Sequence, residues 1–294
     1  MNKLEEFLAN ANRLIDEVRL MMPPSPPPIA WEDTVAFTWR RQRDAGYLEP
    51  VRHPQLIDIS DLQGNRDKFD RVELNTRQFV RGLPANNVLL TGARGTGKSS
   101  IVKALLKKYA SQGLRLIEVE KSLLTDLPAI VDAIRHRPER FIIFCDDLSF
   151  EAEEPGYKAL KVMLDGSVTS AVERVLIYAT SNRRHLVPEY MRENTQMDVV
   201  NGEIHQNDSV DEKISLSERF GVWVHFYPFA QEEYLQIARH WLSRLNPGIV
   251  FSQAVQDEAL GWALQRGSRS GRVALQFARD YCGRHAVDSM SFDK

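Results

Sequence analysis

The stretch Asn87-Val88-Leu89-Leu90-Thr91-Gly92-Ala93-Arg94-Gly95-Thr96-Gly97-Lys98-Ser99-Ser100 decides how this chain is read. Residues 92–99 fit G-x-x-x-x-G-K-[ST], a phosphate-binding loop. Val88, Leu89 and Leu90 form a short apolar run, and residues 99–109 read as a helix. The motif therefore sits between a strand and a helix, the order it requires. Gly92, Gly95 and Gly97 take backbone angles closed to other residues, so successive N–H groups turn toward a phosphate. The helix that follows adds its unpaired N-terminal N–H groups and the positive end of its dipole. Lys98 supplies a mobile charge for the outer phosphates, and the Ser99 hydroxyl is a ligand for Mg²⁺. The nucleotide-contacting set is Gly92, Ala93, Arg94, Gly95, Thr96, Gly97, Lys98, Ser99 and Ser100. A glycine-rich turn carrying an exposed lysine is the bland alternative, and the flanking strand and helix argue against it.

Outward from the loop, apolar runs alternate with helical patterns. Strands are expected at 88–90, 114–119, 141–145, 175–179 and 222–226, and helices at 69–79, 99–109, 127–137 and 157–164. That alternation implies a five-stranded parallel sheet with helices on both faces, an α/β fold. Beyond Pro228 only helical stripes remain, at Tyr234-Ile237-Ala238-Trp241-Leu245, at residues 255–264 and at Val273-Phe277-Tyr281. The first twenty residues form an amphipathic helix, whose partner is the chain's own core or a sister subunit. It is followed by the stiff run Pro23-Pro24-Ser25-Pro26-Pro27-Pro28. Arg40-Arg41-Gln42-Arg43 reads as a helix with a charged, solvated face, with phosphate contacts as the alternative. Residues 189–215 are polar and acidic and read as a long surface loop. The expected division is a mainly helical N-terminal extension with its Pro-rich linker (1–54), a nucleotide-binding unit (55–228) and a small helical lid (229–294).

Composition bounds the partners. The 294 residues carry a formal net charge of −2, with 43% hydrophobic and 27% charged residues. Nothing global therefore points to nucleic acid or to an anionic membrane surface. Cys145 and Cys282 lack metal-ligand spacing and suit a reducing compartment. Charged Lys3, Glu5 and Glu6 precede any apolar run, which argues against a secretory signal, and no stretch is long enough to span a bilayer. The cytoplasm is the expected location.

A nucleotide site also needs carboxylates for its metal, and the ends of parallel strands deliver side chains to the ligand crevice. The run Phe141-Ile142-Ile143-Phe144-Cys145 ends in Asp146-Asp147. Asp146 is assigned to Mg²⁺, mostly through a water, and Asp147 to polarising the attacking water. Helix capping at a strand end is the alternative for this pair.

These residues, followed by Ala179-Thr180-Ser181-Asn182, Ser217-Glu218-Arg219-Phe220 and Ser270-Gly271-Arg272, resemble an AAA+ ATPase over about residues 56–285. The wording at residues 86–92 and 180–186 is closer still to a bacterial branch known only as AAA+ ATP-binding proteins of unknown function. The resemblance implies that Asn182 is sensor 1, on the strand between the phosphate loop and the acidic strand. It also implies that Arg219 is an arginine finger reaching the γ-phosphate of a neighbouring subunit, and hence a homo-oligomer. By the same resemblance Arg272 is sensor 2, from the lid, and Ile57 falls in the segment that contacts adenine. ATP and Mg²⁺ are the implied cofactors, with ATP hydrolysis driving rearrangement of an unknown protein partner. Two departures bear on mechanism. Asp147 stands where most members have Glu, so its carboxylate reaches one methylene less far and hydrolysis is expected to be slow. Residues 120–124 lack the aromatic–apolar–Gly pore loop of protein-threading unfoldases. A nucleotide-dependent DNA-associated switch or loader is the second reading, with Arg40, Arg41, Arg43, Arg183 and Arg184 as phosphate contacts. A small-molecule kinase leaves Asn182, Arg219 and Arg272 unused, and a GTPase lacks its guanine-reading motif.

Overall fold

The computed structural model describes residues 7–8, 10–15, 28–42, 45–150, 154–165, 173–183, 186, 199–200, 203–204 and 216–291. Most of the 189–215 loop and of the proline run, with Arg43 and Arg184, lie outside them.

A seven-stranded sheet with the order β2-β1-β4-β5-β6-β3-β9 forms the frame. Its members are β1 (Ala36–Gln42), β2 (Ala45–Pro50), β3 (Val88–Gly92), β4 (Leu114–Glu118), β5 (Arg140–Cys145), β6 (Val175–Ser181) and β9 (Val222–Phe226). A separate two-stranded ribbon pairs β7 (Val199–Val200) with β8 (Glu203–Ile204). The five expected strands are present and pair in parallel. Each reads as an apolar run because both faces are covered. Alternate side chains feed two cores. Leu89, Ile117, Phe141, Ile143 and Ile177 face one way, and Val88, Leu90, Leu116, Ile142 and Phe144 the other.

The count of five strands is corrected to seven, and the stretch before residue 55 is not mainly helical among its described residues. Strand β1 adds in parallel to β4, and β2 returns antiparallel beside it. Arg40 and Arg41 thus lie on a strand rather than a helix. The physical reason is a period of two: Phe37 and Trp39 are buried while Thr38 is half-buried and Arg40 exposed. Gly46 makes room for Trp39, since a Cβ there would lie 2.0 Å from the indole ring. The hairpin arginines are committed within the chain. Arg40 pairs with Glu49 and Glu120, and Arg41 Nη2 bonds Asp126 Oδ1 at 2.9 Å. Asp126 Oδ2 also accepts a bond from the buried Trp39 indole N–H at 3.0 Å.

Helices α2 (Arg66–Val80) and α3 (Lys98–Tyr109) pack on one face of the sheet, and α4 (Leu127–Ile134) and α5 (Pro155–Leu164) on the other. Helical residues 10–15 (α1) belong to the expected N-terminal helix, and Phe7, Leu8, Leu14 and Ile15 on it are exposed. A helical turn at residues 216–218 (α6) precedes β9. Three further helices, α7 (Gln231–Leu245), α8 (Gln253–Gln265) and α9 (Gly271–Ser291), enclose a core of their own around Tyr234, Ile237, Ala259, Val273 and Phe277. Carboxylates on the 58–61 segment reach α7: His240 Nε2 lies 2.9 Å from Asp61 Oδ1, and Arg244 Nη2 bonds Asp58 Oδ2 at 3.2 Å.

Replacing Asp126 with Ala strips one buried acceptor from both Trp39 and Arg41. Denaturant unfolding of Asp126→Ala is expected to show about 2 kcal/mol less stability than wild type. An unchanged midpoint would mean that the hairpin does not depend on this carboxylate.

Candidate nucleotide site

The site lies at the carboxyl ends of β3, β5 and β6, where side chains leaving adjacent strands converge. The loop's shape comes from its glycines. Gly92, Gly95 and Gly97 have φ of 125°, 73° and 96°. At Gly92 the demand is also steric, since a Cβ would stand 2.0 Å from the Phe226 carbonyl oxygen. That carbonyl accepts a bond from Ala93 N at 3.2 Å, tying the loop to β9. Inside the loop Thr96 Oγ1 bonds Ala93 O at 2.8 Å, and the buried Asn65 side chain bonds Thr96 O at 3.0 Å. Open space lies beside Gly97, which caps the start of α3, a helix whose first N–H groups have no partner within the helix.

Lys98 is folded back into this cradle. Its ammonium donates to Gly92 O at 2.7 Å, Ala93 O at 2.8 Å and Asn182 Oδ1 at 3.0 Å. The residue is 6% exposed. Burial pulls its pKa down to about 8, opposed by the nearby Asp146 and Asp147 carboxylates. Asn182 continues the chain, its side-chain N–H donating to Asp147 Oδ1. Lys98, Asn182 and Asp147 thus form one relay of contacts from the start of α3, past the end of β6, to the end of β5.

The two acids occupy different environments. Asp146 Oδ1 accepts from Ser99 Oγ at 2.7 Å and from Thr180 Oγ1 at 2.5 Å. Asp147 has φ of 53°, a left-handed conformation that Asp tolerates better than most residues. Its backbone N–H donates to Thr180 Oγ1 at 2.9 Å, and Arg94 Nη2 stands 3.9 Å from Asp147 Oδ2. A single hydroxyl therefore touches both acids, through the Asp146 carboxylate and the Asp147 backbone N–H. The start of α9 closes the other side. Gly271 N donates to Gly95 O at 2.9 Å, and the Ser270 and Arg272 side chains lie against Gly95.

The structure brings Gly92, Ala93, Arg94, Gly95, Thr96, Gly97, Lys98, Ser99, Asp146, Asp147, Asn182 and Arg272 to one site. Ser100 sits half-buried in the first turn of α3. Asn182 follows β6, which does run between the acidic strand and the loop strand. Arg219 stands elsewhere, its Nε paired with Asp165 at the end of α5. Ile57 packs against the core under β3 and α3. Sequence reasoning passed over Thr180, Asn65, Ser270 and Phe226. For Thr180 a signal existed, a hydroxyl two residues before the strand-end Asn182 and therefore on the same face. Asn65 and the Phe226 carbonyl have no local signature, since both act through distant parts of the fold.

The family described as "Protein of unknown function (DUF815)" matches residues 32–285. No curated protein matches. Among solved structures, a mutant of Thermotoga maritima RuvB superposes with a TM-score of 0.55 at 14% identity, over 79% of this chain and 68% of that one. A second RuvB mutant from that organism gives 0.53 at 14%, over 77% and 65%. Aeropyrum pernix Orc1, solved in complex with DNA, gives 0.50 at 17%, over 76% and 59%. This chain thus spans about two thirds or less of the length of those proteins. They are AAA+ P-loop ATPases, and the fold of this chain is theirs. At these identities the likeness establishes fold alone.

The depressed Lys98 pKa has a pH consequence. Between pH 8 and the unfolded value near 10.5 the unfolded chain binds more protons at this residue, so its contribution to stability rises with pH. Below pH 8 the full penalty of the buried ammonium is present. Relative to Lys98→Met, the wild-type protein is expected to gain about 1–3 kcal/mol in denaturant unfolding between pH 7.5 and 10. Parallel pH profiles would show that Lys98 is not held in this buried state.

Proposed function

We propose a function from one premise: the chain belongs to the DUF815 family of proteins of unknown function. It binds ATP with Mg²⁺ at the loop of residues 92–99 and hydrolyses it to drive remodelling or assembly of a macromolecular partner. The observation that carries this reading is the Lys98–Asn182–Asp147 relay beside the Ser99–Asp146 pair. A buried ammonium bonded to its own loop's carbonyls has donors that an entering phosphate can take over. The cradle fits a polyphosphate, with left-handed glycines, a helix N-terminus and open space beside Gly97.

Each residue then has a task. Lys98 exchanges Gly92 O, Ala93 O and Asn182 Oδ1 for the outer phosphates. Ser99 Oγ and Asp146 hold the cation, Asp146 being kept in place by Thr180 Oγ1. When bound there, Mg²⁺ would supply positive charge against the negative charge of the outer phosphates. Losing Lys98 as a partner leaves Asn182 able to orient a water against Asp147, the general base. Arg272 comes over the loop from the lid, already joined to Gly95 through Gly271. Ile57 lies in the segment that takes the base. We assign residues 1–54, 55–228 and 229–294 to an N-terminal extension, a nucleotide-binding domain and a lid domain. We place the protein in the cytoplasm; among the described residues no helix is long and apolar enough to cross a membrane.

Arg219 motivates a homo-oligomer. To act on a neighbour's nucleotide it must leave Asp165, so that ion pair is its resting state. The DNA-associated switch receives less support, because Arg40 and Arg41 spend their charge on Glu49, Glu120 and Asp126.

Phosphate release is the direct test. Wild type is expected to turn over Mg·ATP slowly, and Lys98→Ala and Asp147→Asn to lose at least tenfold of that rate. Mixing Arg219→Ala with Lys98→Ala subunits should restore part of the turnover that each lacks alone. Equal rates in wild type and Lys98→Ala would remove the ATPase reading, and failure of the mixture to recover would remove the shared site.

A further inference from the structure

We propose that Arg94, a side chain of the phosphate loop itself, is a ligand of the terminal phosphate and makes the site prefer ATP over ADP. This rests on the ATP-site reading above. Phosphate loops bind chiefly through backbone N–H groups, which cradle the inner phosphates that ATP and ADP share. A cation placed only at the acid end of the site serves the last phosphate alone. Arg94 is placed there. Its guanidinium stands 3.9 Å from Asp147 Oδ2, at the end of the relay formed by Lys98 and Asn182.

Its donors are unspent. Among the described residues Arg94 makes no hydrogen bond, and its one ion pair is longer than hydrogen-bond range, with 78% of the side chain exposed. An exposed pair of that length is worth little, so Asp147 does not hold the guanidinium against a better partner. A phosphate offers such a partner, because the planar fork engages two oxygens at once. The charge is nonetheless felt within the site, where Arg94 helps to lower the Lys98 pKa. Its backbone does not require a special residue, since φ is not positive there while Gly95 beside it is left-handed. Arg94 can therefore be replaced without remaking the loop. The same contact gives a link between the two acids' end of the site and nucleotide state. When Arg94 moves to phosphate, Asp147 Oδ2 is released for water.

Calorimetric titration with Mg·ADP and with Mg²⁺ and non-hydrolysable β,γ-methylene ATP tests this on wild type, Arg94→Ala, Arg94→Lys and Lys98→Ala. Arg94→Ala is expected to bind the triphosphate about tenfold more weakly and the diphosphate within about twofold of wild type. Arg94→Lys should recover only part of the triphosphate affinity, because it restores the charge without the fork. Equal loss for both nucleotides, or no loss for either, would overturn the proposal, as would an Arg94→Lys protein no better than Arg94→Ala. Lys98→Ala separates the two levels of the argument. If wild type binds both nucleotides and Lys98→Ala loses them while Arg94→Ala shows no selective loss, this inference alone fails. If wild type binds neither, the ATP-site reading fails and the inference with it.

Discussion

A lysine ammonium buried in a loop of backbone carbonyls constrains everything around it. Burying a charge is costly unless it is fully hydrogen-bonded, and Lys98 meets that demand with Gly92 O, Ala93 O and Asn182 Oδ1. Two of those acceptors belong to the loop, so the loop must curl as it does for Lys98 to be satisfied. The third belongs to the end of β6, so β6 must lie beside β3. The β5–β6–β3 strand order is thus what places Asp147, Asn182 and Lys98 in one line. The sheet's own packing, with both faces covered by apolar helices, makes that order rigid.

Around this relay the fold supplies two fixed supports and one contact from a separate core. Thr180 is the first support, its hydroxyl donating to Asp146 and accepting from the Asp147 backbone. It holds Asp147 in a left-handed turn that aims the carboxylate at Asn182. Asn65 is the second, anchoring Thr96 from the start of α2. The contact is with the lid, where Gly271 N meets Gly95 O. A lid joined to the glycine loop by a backbone bond, and to residues 58–61 by His240 and Arg244, touches both the phosphate end and the proposed base-binding segment. Under the proposed function, nucleotide at either place would bear on the C-terminal helices. The N-terminal hairpin acts at the other edge of the sheet, where Arg40 and Arg41 fasten residues 120–126.

Much of this was legible in the sequence because it is local. The five parallel strands show as apolar runs, and the loop as a motif with strand before and helix after. Asp146 and Asp147 follow directly on their strand. What was hidden is non-local or masked by composition. Phe37 and Trp39 alternate with Thr38 and Arg40, yet the cluster of arginines that follows resembles a charged helix face, so two strands were missed. Thr180 matters through a neighbouring strand's register, and Asn65 through a carbonyl 31 positions away. Arg219 reads like a finger in the sequence, while the fold pairs it within its own chain with Asp165. Arg94 fills a place in the motif where any residue is allowed, so its charge carries meaning only once its position beside Asp147 is known.

On the proposed function, the Lys98 contacts are placeholders for phosphate. A crystal structure of the protein with Mg²⁺ and β,γ-methylene ATP tests it most directly. Phosphates are expected within residues 92–99, with Lys98 Nζ moved from Gly92 O and Ala93 O onto their oxygens and Asn182 released. Nucleotide bound elsewhere, or phosphates present with Lys98 still on its own carbonyls, would contradict it.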